Sequence, residues 1–282
     1  MHRRKLHAIF GLKWNPFTPD QPTEALYVTP AIKSFCARVD AMIYDGGFAL
    51  VTGEPGNGKS VALRILTARL DDLPEVSVGS ITRPQSGLAD FYRELGDLFG
   101  VELRPHNRWA GFKVLRERWK AHAEQSRLRP VLIIDEAQDM APPVLNELRF
   151  LATGQFDSEA YLTVVLAGDR RLPDRFRHPD LVPLGSRIRT RLVLDHATRE
   201  DLECVLLHAL EQAGGAELIT KPVRDALVEH AAGNYRVMMT AAGELLMAAA
   251  EKEVAEIDEK LYFEFFETRT TRRSTDRSRS RT

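Results

Sequence analysis

The sequence predicts an α/β fold followed by a small all-helical domain. Three observations carry that expectation. The first is Gly53-Glu54-Pro55-Gly56-Asn57-Gly58-Lys59-Ser60, a run of the form G-x-x-x-x-G-K-[ST]. The second is Val131-Leu132-Ile133-Ile134-Asp135-Glu136, four apolar residues that end in two acids. The third is a change of character at Thr198, after which only helical patterning remains.

The glycine-rich run has the flanks that its chemistry needs. Phe48-Ala49-Leu50-Val51-Thr52 reads as a buried strand, and Val61 to Leu66 continue as a helix. Glycines let backbone N–H groups curl around an anion without a Cβ in the way. The helix N-terminus adds its partial positive charge. The loop is therefore a phosphate cradle formed by Glu54, Pro55, Gly56, Asn57, Gly58, Lys59, Ser60 and Val61. Lys59 is expected to reach the β- and γ-phosphates of ATP, and the Ser60 hydroxyl to bind Mg²⁺.

The paired acids lie 76 residues after Lys59. In an open α/β sheet the site lies at the carboxyl ends of the strands. Asp135 is thereby expected at the Mg²⁺, and Glu136 as the base that polarises the attacking water. Tyr161 to Ala167 read as another buried strand, which ends at Gly168-Asp169 and puts Asp169 near the γ-phosphate. Arg187, Arg189 and Arg191 alternate, so they share one face of a strand start; a cationic group that stabilises phosphoryl-transfer charge fits there.

Elsewhere the chain reads as ordinary scaffold. Phe10 to Phe17 suggest an extended segment on the body, and Thr29-Pro30 a helix start, with the helix running from Ala31 to Tyr44. Val76 to Ile81 alternate as a second strand. Leu88, Phe91, Tyr92, Leu95 and Phe99 fall on one helical face, and Trp109, Phe112, Leu115, Trp119 and His122 repeat that core pattern. Helices are expected from Pro143 to Leu151, up to His178, over 198–213, 222–232 and 235–252, and from Ile257 to Phe266. Thr198 followed by Asp201 reads as a capped start.

Composition bounds the class. The 282 residues are 44% hydrophobic, enough for one large or two modest domains with a real core. Cys36 and Cys204 stand far apart, which fits a reducing cytoplasm rather than a disulfide framework. The eight histidines form no metal spacing. No run approaches the roughly 18 apolar residues of a membrane span. Residues 268–282 hold six arginines against one acid, and such a basic tail is expected to be disordered. The expected division is 1–47 as a segment and helix packed on the core, 48–196 as the nucleotide-binding domain, 197–267 as the helical lid, and 268–282 as the tail.

The chain resembles the AAA+ ATPases, and within them the ExeA/GspA-like and TniB/TnsC-like group. The similarity covers residues 6–252 and rests on Phe10-Gly11-Leu12 with Asn15-Pro16-Phe17, on Gly53–Ser60, on Ile134-Asp135-Glu136-Ala137-Gln138, on Leu166-Ala167-Gly168 and on Gly233-Asn234-Tyr235-Arg236. The resemblance implies a five-stranded parallel sheet with a helical lid. It implies an ATPase that forms a ring or filament, a homo-oligomer with nucleotide held between subunits. By motif position, Arg187 or Arg189 looks like an arginine finger acting in trans, and Arg236 like the sensor 2 arginine. Asp169 occupies the sensor 1 region, where a polar amide is more usual.

Two outputs follow from the resemblance. One is a transposition helper that assembles on duplex DNA with ATP and recruits a DDE-type transposase. Arg83, Arg104, Arg108 and Lys113 are its candidate DNA contacts. The alternative is a secretion-associated ATPase of the ExeA/GspA type, or another AAA+ module acting on proteins. A superfamily 1 helicase would need a second RecA-like core. A small-molecule kinase would need neither Asp135-Glu136 nor a lid arginine, and a degenerate binding module would often lose Glu136.

Overall fold

The computed structural model describes residues 3–101, 108–122, 128–154 and 159–266. The chain forms two compact units, Val28–Asp195 and Met1–Tyr27 with His196–Thr282. The second unit thus recruits residues 1–27, whereas the sequence reading packed the whole of 1–47 on the nucleotide-binding core.

The Val28–Asp195 unit is built on a five-stranded sheet. Its strands are β1 (Gly47–Gly53), β2 (Val76–Ile81), β3 (Arg129–Ile134), β6 (Thr163–Gly168) and β7 (Ile188–Leu194), in the order β2-β3-β6-β1-β7. Every neighbouring pair is parallel. Parallel strands need crossovers, and the intervening helices cover both faces. Strand alternation sorts the side chains. Phe48, Leu50, Leu132, Ile134, Val164 and Leu166 face one core with α4 (Leu88–Phe99), α5 (Arg108–Ala121) and α6 (Pro142–Ala152). Ala49, Val51, Val131, Ile133, Val165 and Ala167 face the other, with α2 (Pro30–Asp45) and α3 (Lys59–Asp71).

Local chemistry sets the element ends. Thr29 Oγ1 accepts the Ile32 N–H and Pro30 opens α2, while Gly46 at φ 60° stops it. Arg38 of α2 donates to Thr190 Oγ1 at 2.7 Å and to the Arg191 carbonyl at 3.2 Å, and so holds the edge strand β7.

Three expectations shift. Tyr161 lies outside the central strand: its N–H donates to the Ala152 carbonyl at 2.9 Å, beside a small hairpin of β4 (Thr153–Gly154) and β5 (Glu159–Ala160). The helix expected up to His178 is α7 (Arg171–Arg175), followed by α8 (Val182–Gly185), whose first turn holds Pro183. Trp109 leaves the core pattern of α5: Leu115 and Trp119 are buried, but Trp109 is 74% exposed.

The helical unit contains α1 (Arg3–Phe10), a 3₁₀ turn at Thr23–Ala25, α9 (Arg199–Ala213), α10 (Lys221–Ala231) and α11 (Tyr235–Glu251), with helical residues at 259–266. Leu6, Leu12 and Phe17 share one core with Leu202, Leu206, Leu210, Met238 and Leu245. That shared burial is why the N-terminal segment belongs here. Thr198 and Asp201 form a reciprocal capping box on α9. Asn234 caps α11 by accepting the Arg236 and Val237 N–H groups.

Candidate active site

The glycine-rich loop joins β1 to α3. Gly56 and Gly58 take φ values of 92° and 94°, which a Cβ would oppose. Lys59 is only 8% exposed, and its ammonium donates to the carbonyls of Gly53 and Glu54 at 2.9 and 3.3 Å. Asn57 is 2% exposed and donates from Nδ2 to the Leu194 carbonyl at 3.1 Å, so the loop is fastened to the end of β7. Arg170 braces the same region, 3.1 Å from the Glu54 carboxylate and 3.5 Å from that of Asp195.

The acids arrive from β3. The Asp135 N–H donates to the Ile81 carbonyl at 2.9 Å, which continues the sheet by one residue. Burial pushes the Asp135 carboxyl above its ordinary value, and the Glu136 charge adds to the rise. The Glu136 N–H bond to Asp135 Oδ1, at 2.9 Å, and the positive charge of Lys59 pull it back. Asp135 and Lys59 are therefore close enough for their charges to act on each other. Glu136 adopts a left-handed backbone at φ 52°, beyond the strand end.

Gln138 links this acid to the next strand. Its amide donates to Glu136 Oε2 at 2.5 Å, while its Oε1 accepts the Asp169 N–H at 3.2 Å. Asp169 is occupied: its carboxylate accepts Arg171 N–H at 2.9 Å and Arg171 Nε–H at 2.8 Å. Burial raises the Asp169 carboxyl, but the Arg171 bonds and the charges of Arg171 and Lys59 outweigh it and hold it below its ordinary value.

The donor set fits a metal-bound nucleoside phosphate. Two left-handed glycines curve the loop, Lys59 supplies a fixed cation, and Ser60 with Asp135 offers hard oxygens of the kind Mg²⁺ takes. Gln138 and Arg170 escaped the sequence reading. Gln138 stands inside a quoted run, yet nothing in that run says that its amide spans two strands.

Residues 42–176 match the family described as AAA domain. Several solved structures share the fold. Cdc6p from Pyrobaculum aerophilum superposes with a TM-score of 0.69 at 16% identity, covering 86% of this chain and 67% of that one. The fold is AAA+. A chain of Drosophila ORC bound to DNA gives 0.64 at 19% identity, over 87% of this chain and 62% of that one. Among curated proteins, the general secretion pathway protein A of Aeromonas hydrophila is 32% identical over 218 residues. That match covers 76% of this chain and 39% of the relative, so the chain spans well under half of the relative's length.

The remaining candidates lie apart from the phosphate loop or in the other unit. Arg187 sits in the turn before β7, and its guanidinium donates to the Pro183 carbonyl. Arg189 is exposed on β7, with its Cδ and Nε over Gly47 at the start of β1. Both occupy the amino end of the sheet, opposite the loop. Arg236 is exposed in the first turn of α11. Arg83 is exposed after the carboxyl end of β2, and Lys113 is exposed on α5, 3.7 Å from Glu117. Arg104 lies outside the described residues, as does the side chain of Arg108. The basic tail, 268–282, lies outside them too. No helix among the described residues is long and apolar enough to cross a membrane.

Proposed function

We propose that the chain is a Mg²⁺-dependent ATPase that works as a homo-oligomer. The observation that carries this is the convergence of Lys59, Asp135 and Glu136 at the carboxyl ends of β1 and β3. In this reading Lys59 and the loop N–H groups hold the phosphates, and Ser60 and Asp135 would hold the Mg²⁺. The metal would neutralise charge that develops on the transferring phosphoryl group. Glu136 orients and polarises the attacking water, and Gln138 fixes where its carboxylate points. Arg187, or Arg189, completes the site of a neighbouring copy. Arg236 acts as a second sensor, and Asp169, already paired with Arg171, acts as a fixed support beside the γ-phosphate.

The output we propose is ATP-dependent assembly on duplex DNA and recruitment of a DDE-type transposase. Its support is the family resemblance together with the cations Arg83 and Lys113. A second reading, a secretion-associated ATPase acting on protein partners, is favoured by the 32% identity to general secretion pathway protein A. Filter binding decides between them. Duplex DNA should be retained with a non-hydrolysable ATP analogue and released without it, with a salt-dependent affinity. The absence of nucleotide-dependent retention of duplex DNA would sink the DNA reading and leave the secretion one. Loss of nucleotide binding in Lys59→Ala, with nucleotide kept but hydrolysis lost in Glu136→Gln, tests the ATPase itself.

A further inference from the structure

Helix α5 carries an aromatic surface that the ATPase site does not use. Trp109, 74% exposed, stacks on Phe112 with ring centroids 6.0 Å apart and planes 16° from parallel. Phe112 is partly buried against the core on that face of the sheet, so the pair is anchored on one side and open on the other. The ladder goes on with Arg116, whose guanidinium carbon lies 5.0 Å from the Phe112 ring and 4.8 Å from the Tyr161 ring. Together these residues line a surface cavity of about 320 Å³, with Lys113 and Lys120 at its margin. Glu117 is the one acid in that lining, and Lys113 stands 3.7 Å from it.

We infer that this surface binds single-stranded nucleic acid. The chemistry has two parts. A flat indole backed by a second ring is a stacking platform for any base, since every base presents a π face. Arg116 adds a cation already seated on aromatic faces. Lys113, Arg116 and Lys120 fall at i, i+3 and i+7 of one helix, a rise of about 10 Å, which spans several phosphates of a strand. The three cations of the lining outnumber Glu117 and the Glu159 carboxylate that accepts the Tyr161 hydroxyl, which sets the sign of the ligand. The spacing of aromatic residues along α5 predicts a buried Trp109. Its actual exposure leaves a large apolar ring in water, where a stacked base would cover it.

This inference goes beyond ATP-driven duplex retention and needs no nucleotide, so the two can fail separately. The test uses the full chain and a fluorescent oligothymidine of roughly 20 nucleotides at low salt, read by anisotropy. Wild type should bind it without ATP. Trp109→Ala should weaken binding about 5- to 150-fold, the range of one lost base stack, and Trp109→Phe should retain most of it. Lys113→Ala should lower the salt slope by about 0.7 for one phosphate contact on a single strand. Binding should also quench intrinsic fluorescence, and Trp109→Phe should lose that quench because Trp119 is fully buried and Trp14 packs against the core of the helical unit. Equal binding by wild type and Trp109→Ala would overturn the inference. So would tighter, Trp109-dependent capture of poly-glutamate than of oligothymidine. A sedimentation change in Trp109→Ala protein alone, with oligothymidine binding intact, would make this face a contact between copies instead.

Discussion

Mixing Arg187→Ala chains with Glu136→Gln chains should restore hydrolysis that neither variant has alone. The reason is the length of the sheet. Ile188 pairs with Phe48 and Leu194 with Gly53, so Arg187 precedes the start of β7 and the phosphate loop follows the end of β1. Five strand steps of about 3.3 Å separate those ends by about 17 Å of backbone, farther than an arginine side chain extends. Its guanidinium is also turned toward α8, where it donates to the Pro183 carbonyl. A role for Arg187 in hydrolysis thus requires the loop of another copy. Arg187→Ala should lose about 10³-fold or more, the weight of an arginine finger, and Glu136→Gln about 10²-fold or more, the weight of a general base. In an equimolar mixture about one interface in four joins an intact Glu136 to an intact Arg187, so about a quarter of the wild-type rate should return. Phosphate release measured across mixing ratios, with sedimentation to confirm co-assembly, reads this directly. A co-assembled mixture no faster than the single variants would refute the argument from distance. Restoration with Arg189→Ala in place of Arg187→Ala would reassign the finger.

Four further outcomes follow from the geometry. Gln138→Ala removes the amide that holds Glu136 Oε2, so kcat should fall by tenfold or more while ATP affinity, read by a fluorescent analogue, stays within about twofold. Asp135 has a raised folded-state value, so the stability tied to its neutral form is complete below the ordinary aspartate value of 3.8 and is lost as pH rises through the raised one. Asp135→Asn should therefore raise Tm at neutral pH, with the gain vanishing in acid, even as hydrolysis disappears; an unchanged Tm at neutral pH would contradict this. Tyr92→Phe deletes a buried hydroxyl that donates to Glu147 Oε1 at 2.5 Å and should cost about 1.5–3 kcal/mol in denaturant melts. Gly233→Ala forces φ 87° on a residue whose Cβ would meet His196 Cβ at 2.9 Å and the Ala197 carbonyl at 3.1 Å. It should destabilise the helical unit by about 1–3 kcal/mol, read as earlier loss of hydrogen-exchange protection in α11.

The parts of this fold that could be read in the sequence are those with local causes. The phosphate loop needs its glycines, the strand before Asp135 needs four consecutive apolar residues, and α2 and α9 carry their own caps. Where a residue's place depends on a distant partner, the pattern fell short. The segment before Lys13 is expected on the nucleotide-binding core, because nothing local says that Leu6 finds its burial among residues two hundred positions away. The β4–β5 hairpin has two-residue strands, too short for any periodicity. Trp109 follows the spacing of a core residue but stands where nothing covers it among the described residues. Within the candidate site, residue types pointed to the loop and both acids. The bridging amide of Gln138 and the brace of Arg170 emerge only once β1, β3, β6 and β7 are side by side.

The bond from Asn57 to the Leu194 carbonyl has a mechanical consequence. Leu194 is the last residue of β7, and Asp195 is the last of the α/β unit before the chain passes to His196. A Cβ on Gly53 would come within 2.6 Å of the same carbonyl, so the start of the loop has no slack against it. Arg170 then ties Glu54 to Asp195 from the other side. A shift of the loop on the phosphate binding proposed above would load the Leu194 peptide first. The end of β7 is thus where loop occupancy would register, and a spin label at the exposed position 193 should read it.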